Sequence, residues 1–203
     1  MTRLTVETPV GPAEVELEVK RNASKLLVIG HGAGGSIDAV DLVAVQQACL
    51  AAGISVARVT QPYRLAGRRL PPAAANLDSA WAAVLAALGR RKALASLGFV
   101  YAGRSSGARV ACRAAVDDQV EPRPIGVVAL AFPVHPPGKP EKSRLAELDS
   151  VTVPVLVVQG TSDPFGMPGP AAGRQVRQVA GNHSLKASAA EVGELVASWI
   201  SAL

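Results

Sequence analysis

The chain has 203 residues, enough for one domain that buries a substantial core. Hydrophobic residues make up 49% of it and charged residues 18%, a composition that excludes a disordered protein. The formal net charge is +5, but no aromatic residues alternate with the basic groups as a nucleic-acid-binding surface would require. We therefore expect a single domain over residues 1–203 that does not bind nucleic acid.

The sequence also lacks features of a membrane or secreted protein. The first twenty residues contain no signal-peptide apolar core, and no apolar run reaches membrane-spanning length. The two cysteines, Cys49 and Cys112, have neither metal-ligand spacing nor the pattern of a disulfide framework. We expect a soluble cytoplasmic protein with buried free thiols and with no metal or cofactor.

Short apolar strands alternate with helical patterns along the chain. Residues 4–10 and 13–19 alternate apolar with polar around Gly11–Pro12, which predicts an antiparallel hairpin. Further strands are predicted at 25–29, 54–59, 97–102, 125–132, 153–158 and 175–179, and helices at 38–52, 72–88, 106–116 and 188–202. This alternation predicts an α/β fold, a mostly parallel sheet with helices on both faces. Ligands bind such sheets just beyond the carboxyl ends of the strands.

A glycine-rich turn, GHGAGG at 30–35, follows the first of the buried strands. Serine hydrolases use such a loop to direct a backbone N–H at an oxyanion, since small residues allow close approach. We assign one oxyanion donor to the N–H of Ala33, with Gly32 and Gly34 able to share the role. We expect His31 to anchor the loop by hydrogen bonding. The segment 30–35 also matches the GxGxxG pattern of nucleotide-binding loops. However, no acidic residue ends the next strand, where such a site would need one to bind a ribose.

A second motif, GRSSG at 103–107, lies directly between a predicted strand and a predicted helix. It fits GxSxG, in which a serine on a tight turn projects clear of the sheet. We predict Ser105 as a nucleophile and the N–H of Ser106 as the second oxyanion donor, at the positive end of the helix. The alternative is a strand–helix turn in which the serine only caps the helix.

An acid and a base follow later strands. Asp163 comes after the strand VPVLVV, and His183 after the next one. A serine nucleophile needs an imidazole to take its proton, and the imidazole needs a carboxylate to fix its tautomer. Serine, acid and histidine also occur in the chain order that one class of serine hydrolases uses. The alternatives are a turn aspartate before Pro164 and a loop histidine. His135 precedes the acid, so we expect it to line the pocket instead.

These stretches resemble the α/β-hydrolases of the dienelactone-hydrolase-like group. Within that group the chain is similar to the branch of testis-expressed protein thirty and the hydrolase-like domain of non-specific lethal complex subunit three. The matching segments are GHGAGG (30–35), QPYRLAGRR (61–69), GRSSGAR (103–109), FPVHPPGKPEK (132–142), VPVLVVQGTSDPFG (153–166) and NHSLK (182–186). The resemblance implies the α/β-hydrolase fold, with Ser105 as nucleophile, Asp163 as acid and His183 as base. This sequence departs from the usual pattern of the family at MPGPAAG, where a helix is usual, and at Ser106, where a bulkier residue is usual.

Only about twenty residues separate the strands at 125–132 and 153–158, too few for a cap domain. We therefore expect an open, shallow site. Basic residues on loops after strands suggest an anionic substrate, although ordinary solvated loop charge is the alternative; they are Arg64, Arg68, Arg69, Lys139 and Lys142. The residues expected to contact substrate are Gly32, Gly34, Arg104, His135, Arg68 and Lys139.

The sequence thus predicts a serine hydrolase that cleaves a small ester or thioester through an acyl-enzyme intermediate. One alternative is a non-catalytic interaction module that keeps the fold, although a scaffold has no physical need for all three groups of the triad. Another is an acyltransferase, in which an alcohol or amine replaces water. The sequence does not indicate an oligomeric state.

Overall fold

The computed structural model describes all residues, 1–203, as one sheet flanked by helices. The strands are β1 (Thr2–Val6), β2 (Ala13–Glu18), β3 (Lys25–Gly30), β4 (Ser55–Thr60), β5 (Gly98–Arg104), β6 (Pro124–Leu130), β7 (Val155–Gly160) and β8 (Arg174–Val179). The helices are α1 (Val40–Ala51), α2 (Pro62–Leu65), α3 (Ala74–Gly89), α4 (Ser106–Val116), α5 (Leu145–Asp149) and α6 (Ala189–Ser201). A 3₁₀ turn at Lys186–Ser188 precedes α6.

The sheet has eight strands in the order β1-β2-β4-β3-β5-β6-β7-β8. The pairs β1–β2 and β2–β4 are antiparallel, and every pair from β4 to β8 is parallel. The carboxyl ends of β3, β5, β6, β7 and β8 therefore lie along one edge of the sheet. This confirms the predicted mostly parallel sheet with an N-terminal hairpin.

Two apolar cores lie on opposite faces of this sheet. Alternate residues of β3 show the division, with Leu26 and Val28 in one core and Leu27 and Ile29 in the other. The first core contains the apolar faces of α3 and α4, and the second contains those of α1 and α6. Because parallel strands are covered on both faces, they read in the sequence as continuous apolar runs.

The N-terminal hairpin differs from the prediction in its bounds. β1 ends at Val6, whereas the alternating pattern predicts a strand up to Val10. Pro9 has no N–H to continue a ladder, and the Thr8 hydroxyl instead donates to the Gly11 carbonyl oxygen at 2.5 Å. The predicted hairpin is present, and its strands are joined by a six-residue loop that contains Gly11–Pro12.

The connection between β6 and β7 contains only the five-residue helix α5. No domain is inserted there, which confirms the prediction that the fold has no cap. The segment MPGPAAG, residues 167–173, contains no helix and leads directly into the edge strand β8. Every helix of the structure is too short or too polar to cross a membrane.

Candidate active site

The turn between β5 and α4 presents Ser105 in a strained conformation. Its φ is +54°, in the left-handed region that residues with side chains rarely adopt. The Ser105 N–H donates to the Leu130 carbonyl oxygen of β6 at 2.8 Å, which fixes the turn to the neighbouring strand. Such strain persists only where the surrounding structure determines it, and it concentrates at functional sites.

The two glycines of GRSSG are required by packing. A Cβ added at Gly103 would lie 2.2 Å from the Gly107 carbonyl carbon. A Cβ at Gly107 would lie 2.7 Å from the His31 carbonyl oxygen and 2.8 Å from that of Gly30. Strand β5, helix α4 and the end of β3 therefore approach each other too closely for any side chain at these positions.

The predicted triad residues lie together above the carboxyl edge of the sheet. His183 Nε2 lies 2.8 Å from Ser105 Oγ, and His183 Nδ1 lies 2.8 Å from Asp163 Oδ2 and 3.1 Å from its Oδ1. In the neutral imidazole, Nδ1–H donates to the carboxylate while Nε2 accepts from the serine hydroxyl. The serine can thus pass its proton to an imidazole whose tautomer the carboxylate fixes.

Asp163 accepts hydrogen bonds from residues other than His183. Its side chain is 1% exposed, and its Oδ1 accepts from the Phe165 N–H at 2.9 Å. The fully buried Gln159 side chain donates from Nε2 to Asp163 Oδ2 at 3.0 Å. The same amide group lies 3.0 Å from the Phe132 carbonyl oxygen and 2.8 Å from that of Gly166. Gln159 therefore connects the carboxylate to two loops and restricts its rotation.

One aromatic ring covers the base, while the other nearby histidine packs elsewhere. The Phe165 ring stacks on the His183 ring, with centroids 4.0 Å apart and an interplanar angle of 27°. His135, the other candidate base, bonds through Nδ1 to the Pro136 carbonyl oxygen at 2.9 Å. Its Nε2 is only 2.7 Å from where a Cβ on Gly166 would lie. His135 thus packs against the loop after the acid and makes no hydrogen bond to the triad.

The glycine-rich loop lies beside the nucleophile. A Cβ at Gly32 would be 3.4 Å from Ser105 Cβ, which shows how closely the two segments approach. The Gly35 N–H donates to the Gly32 carbonyl oxygen at 3.1 Å, and Gly34 takes a φ of +67°, as the third residue of such a turn requires. The exposed N–H of Ala33 makes no hydrogen bond within the protein. The N–H of Ser106 is the first of α4 and has no acceptor within that helix.

His31 connects this loop to the start of α2. Its side chain is 3% exposed; Nδ1 lies 2.9 Å from the Gly32 carbonyl oxygen, and Nε2 accepts from the Gln61 N–H at 3.1 Å. Because Nε2 accepts from an N–H, the ring proton lies on Nδ1 and donates to the Gly32 carbonyl oxygen, and burial lowers the pKa of His31. It therefore holds the loop and takes no part in proton transfer.

Arg104, expected to contact substrate, is directed elsewhere. Its Nε lies 3.2 Å from Asp41 Oδ2, and its Nη2 lies 3.4 Å from the His183 carbonyl oxygen. The guanidinium is 17% exposed and the Asp41 carboxylate 2% exposed. The Arg104 charge is thus paired inside the protein, and substrate contact by Arg104 stays a prediction.

The other basic candidates are not bonded to the triad. Arg68 is exposed and lines a small cavity of about 120 Å³ beside Tyr63 and Leu77. Lys139 is exposed in a turn that its N–H closes onto the Pro136 carbonyl oxygen. The Arg69 backbone lies nearer the site, since its carbonyl oxygen is 3.4 Å from where a Cβ on Gly34 would lie.

A cavity of about 560 Å³ between α1 and α6 contains none of the triad residues. Ser105 and His183 are both partly exposed on the edge of the sheet. No three His, Cys, Asp or Glu side chains lie close enough to ligate a metal ion. The arrangement is suited to proton transfer and nucleophilic attack at an open surface.

Three residues with a part in the site were not predicted from the sequence: Asp41, Gln159 and Phe165. Gln159 had a visible signal, because a polar side chain that ends the apolar run VPVLVV must find partners when buried. Phe165 follows the acid by two positions but gives no pattern of its own. The partnership of Asp41 with Arg104 joins distant parts of the chain and has no local signature.

A serine, an imidazole and a carboxylate are thus bonded in series at this edge of the sheet, beside two backbone N–H groups that can donate to an oxyanion. The family model described as an alpha/beta hydrolase domain matches residues 23–194. Because this match covers most of the chain, the protein belongs to that α/β hydrolase family. No curated protein matches it in sequence.

Solved structures with the same fold include a serine hydrolase homologue from Coxiella burnetii, with a TM-score of 0.77 and 20% identity over 98% of this chain and 97% of that one. A serine hydrolase without a lid from Xanthomonas campestris has a TM-score of 0.78 and 19% identity, covering 99% and 94%. A dienelactone hydrolase from Anabaena variabilis has a TM-score of 0.77 and 18% identity, covering 99% and 96%. These likenesses show the α/β-hydrolase fold and dienelactone-hydrolase-like structural neighbours.

Proposed function

We propose that the protein is a serine hydrolase that cleaves a small ester or thioester through an acyl-enzyme intermediate. The observation that carries this proposal is the pair of 2.8 Å contacts, from Ser105 Oγ to His183 Nε2 and from His183 Nδ1 to Asp163 Oδ2. A hydroxyl bonded to an imidazole, whose far nitrogen is bonded to a buried carboxylate, is the arrangement that makes serine nucleophilic.

In this mechanism Ser105 Oγ attacks the carbonyl carbon while His183 Nε2 takes its proton. The N–H groups of Ala33 and Ser106 stabilise the negative oxygen of the tetrahedral intermediate. The bond to the leaving alcohol or thiol then breaks, and the imidazolium returns the proton to that group. A water molecule, deprotonated by the same nitrogen, attacks the acyl-enzyme; the bond to Ser105 Oγ breaks, the imidazolium returns the proton to that oxygen, and the acid is released. Asp163 stays ionised and stabilises the imidazolium in both steps.

The substrate we infer is a small molecule with a negatively charged part. Support comes from the open edge of the sheet and from basic side chains without carboxylate partners on the loops after β4 and β6; they include Arg68, Arg69, Lys139 and Lys142. We also place the chain in the branch of testis-expressed protein thirty on the strength of its HPPGKP and QGTSDPFG segments. Cytoplasmic location is part of the same proposal, since Cys49 and Cys112 are buried and unpaired.

The test is covalent labelling with a fluorophosphonate probe, followed by mass-spectrometric location of the adduct. We expect labelling of the wild type at Ser105 and none of Ser105→Ala. A matched control is Ser79→Ala, which removes an exposed hydroxyl of α3 far along the chain from the motif and should leave labelling unchanged. An ester panel that varies acyl length and charge then defines the substrate class.

Two outcomes would contradict the proposal. Labelling that persists in Ser105→Ala would remove the nucleophile assignment. A folded wild type that neither reacts with the probe nor hydrolyses any ester would favour a non-catalytic interaction module. An acyltransferase would label normally but give mainly the transfer product when an alcohol or amine is added.

A further inference from the structure

We propose that Arg104 and Asp41 form a positioning pair. The pair fixes the glycine-rich segment 32–35, here called the oxyanion loop, and the base His183 in position around Ser105. This inference rests on the proposed function, because it assigns these two residues a part in the same reaction. Neither is a catalytic residue, since neither contacts the reacting atoms. Arg104 is the residue directly before the nucleophile, and Asp41 lies in the first turn of α1.

The first observation is that the pair is buried and mutually dependent. Arg104 Nε and Asp41 Oδ2 lie 3.2 Å apart with 17% and 2% of their side chains exposed. Neither atom makes a hydrogen bond, to the other or to any further group, so the contact between them is one of charge. Burial raises the pKa of the Asp41 carboxyl, and the charge of Arg104 opposes that rise. Removing Arg104 would leave the buried Asp41 carboxylate with only the backbone N–H groups of Asp41 and Leu42, and removing Asp41 would leave the Arg104 guanidinium with only the His183 carbonyl oxygen.

The second observation is that the Arg104 guanidinium lies beside two other functional segments. Its Nη2 lies 3.4 Å from the carbonyl oxygen of His183, the base itself. Its Nη1 lies 3.5 Å from where a Cβ on Gly32 would be and 3.8 Å from the same point on Gly35, at the two ends of the oxyanion turn. Its own backbone leads into Ser105. The planar, multidentate guanidinium is the side chain best suited to bridge several segments in this way.

The energetics of buried ion pairs indicate what Arg104 and Asp41 contribute. A buried ion pair gives little net stability, because the cost of desolvation offsets most of its attraction. The contribution of this pair must therefore lie in the geometry that it imposes. Misplacement of a catalytic group by about 1 Å lowers rate by about 100-fold, so an arginine that fixes both the oxyanion loop and the base has a large effect on kcat.

The kinetic test uses Arg104→Met, Asp41→Asn and the double variant, assayed on a neutral ester and an anionic ester of equal size. We expect each single variant to lower kcat by about 10- to 100-fold on both esters, with KM changed less than about twofold. The double variant should be no slower than Arg104→Met, since both substitutions break one interaction. Arg104→Lys, which keeps the charge and loses the planar fork, should recover only part of the rate.

Arg113→Met is the matched control. It removes an arginine paired with Asp78 and Glu147, which lie on α3 and α5. We expect it to lower the midpoint of thermal unfolding and leave kcat unchanged. A higher KM for the anionic ester alone in Arg104→Met would instead make Arg104 a substrate-binding residue. Asp41→Asn, which preserves shape, with wild-type kcat would also overturn the proposal, even if Arg104→Met failed to fold.

A hydrogen-exchange measurement separates this inference from the proposed function. We expect faster amide exchange at residues 32–36 and 182–186 in Asp41→Asn than in the wild type, without a general increase. Unchanged exchange at both segments would overturn the positioning role even in an active enzyme. If the wild type hydrolyses no ester, the proposed function fails, and the exchange result alone decides whether the pair orders the two segments.

Discussion

The turn that carries Ser105 and the loop that carries His183 are fixed in different ways. The turn is fixed by packing, since Gly103 and Gly107 have no space for a Cβ. In the loop, the backbone is packed closely against Gly160, while the His183 side chain is held by polar contacts to Asp163 and Ser105. Packing constraints belong to the fold, whereas these polar contacts belong to the chemistry. Substitutions in the two regions should therefore separate stability from activity.

The largest expected effect is on catalysis, from His183→Ala. We expect kcat/KM for an activated ester to fall by roughly four to six orders of magnitude, because no other imidazole is bonded to Ser105. The buried Asp163 keeps its bonds from Gln159 and Phe165, so the midpoint of thermal unfolding should change little. Ester assays with thermal unfolding of the same samples check both parts. A variant that loses its fold together with its activity would contradict the separation.

The largest effect on stability is expected from Gly103→Ala. Its Cβ would lie 2.2 Å from backbone atoms that belong to α4, so strand and helix must separate. We expect a loss of about 3 kcal/mol in the free energy of unfolding, measured by chemical denaturation. Gly169→Ala is the control, because nothing lies within 4 Å of its Cβ. The control should stay within about 1 kcal/mol of the wild type, and equal losses in the two variants would remove the packing argument.

Gln159→Leu should lower both the stability of the fold and the catalytic rate. The leucine cannot donate to Asp163, and it leaves the carbonyl oxygens of Phe132 and Gly166 without their donor. We expect a loss of about 1 to 3 kcal/mol in stability, together with a fall in kcat of about 10-fold from a carboxylate free to rotate. Urea unfolding and ester kinetics measure the two changes. An unchanged kcat would show that His183 and Phe165 alone orient the acid.

The smallest effect is expected from Glu147→Gln, which weakens the contact between α5 and the helix that follows the nucleophile. Burial alone would raise the pKa of Glu147, but Arg109 and Arg113 lower it below its ordinary value of 4.5. Glu147 therefore stabilises the fold at pH values above 4.5. This contribution is lost as the pH falls through the lower pKa that Glu147 has in the folded state. The variant should be about 1 kcal/mol less stable near neutral pH.

Thermal unfolding of both proteins over a pH series provides the measurement for Glu147→Gln. The difference between the two midpoints should shrink as the solution is made acidic. A difference that stays constant down to acidic pH would show that the ion pairs of Glu147 add no stability.

Much of the fold could be predicted because its signals are local. The parallel strands are buried on both faces and appear as unbroken apolar runs, and α1, α3, α4 and α6 are long enough to show helical spacing. The helices α2 and α5 have four and five residues, too few for a periodic pattern. The end of β1 was misjudged because the alternating pattern continues through Thr8 and Pro9, where backbone chemistry ends the strand.

The residues of the site likewise divide into those with a local sequence signal and those without one. Ser105, Asp163 and His183 could be found because each follows a strand and their order is informative. The pairing of Arg104 with Asp41 could not be predicted, because the two residues come from distant parts of the chain. The contacts of Gln159 were equally hidden, since its acceptors lie on separate loops. Long-range polar pairing is set by the folded topology, and no local spacing encodes it.

The short connection between β6 and β7 has a consequence for the rate of turnover. With no inserted domain above Ser105, nothing has to open before a product leaves. Enzymes with moving lids are often limited by that opening. Here one of the proposed chemical steps, acylation or deacylation by water, would set kcat, and the solvent-facing side of the acyl group would meet bulk water throughout the cycle.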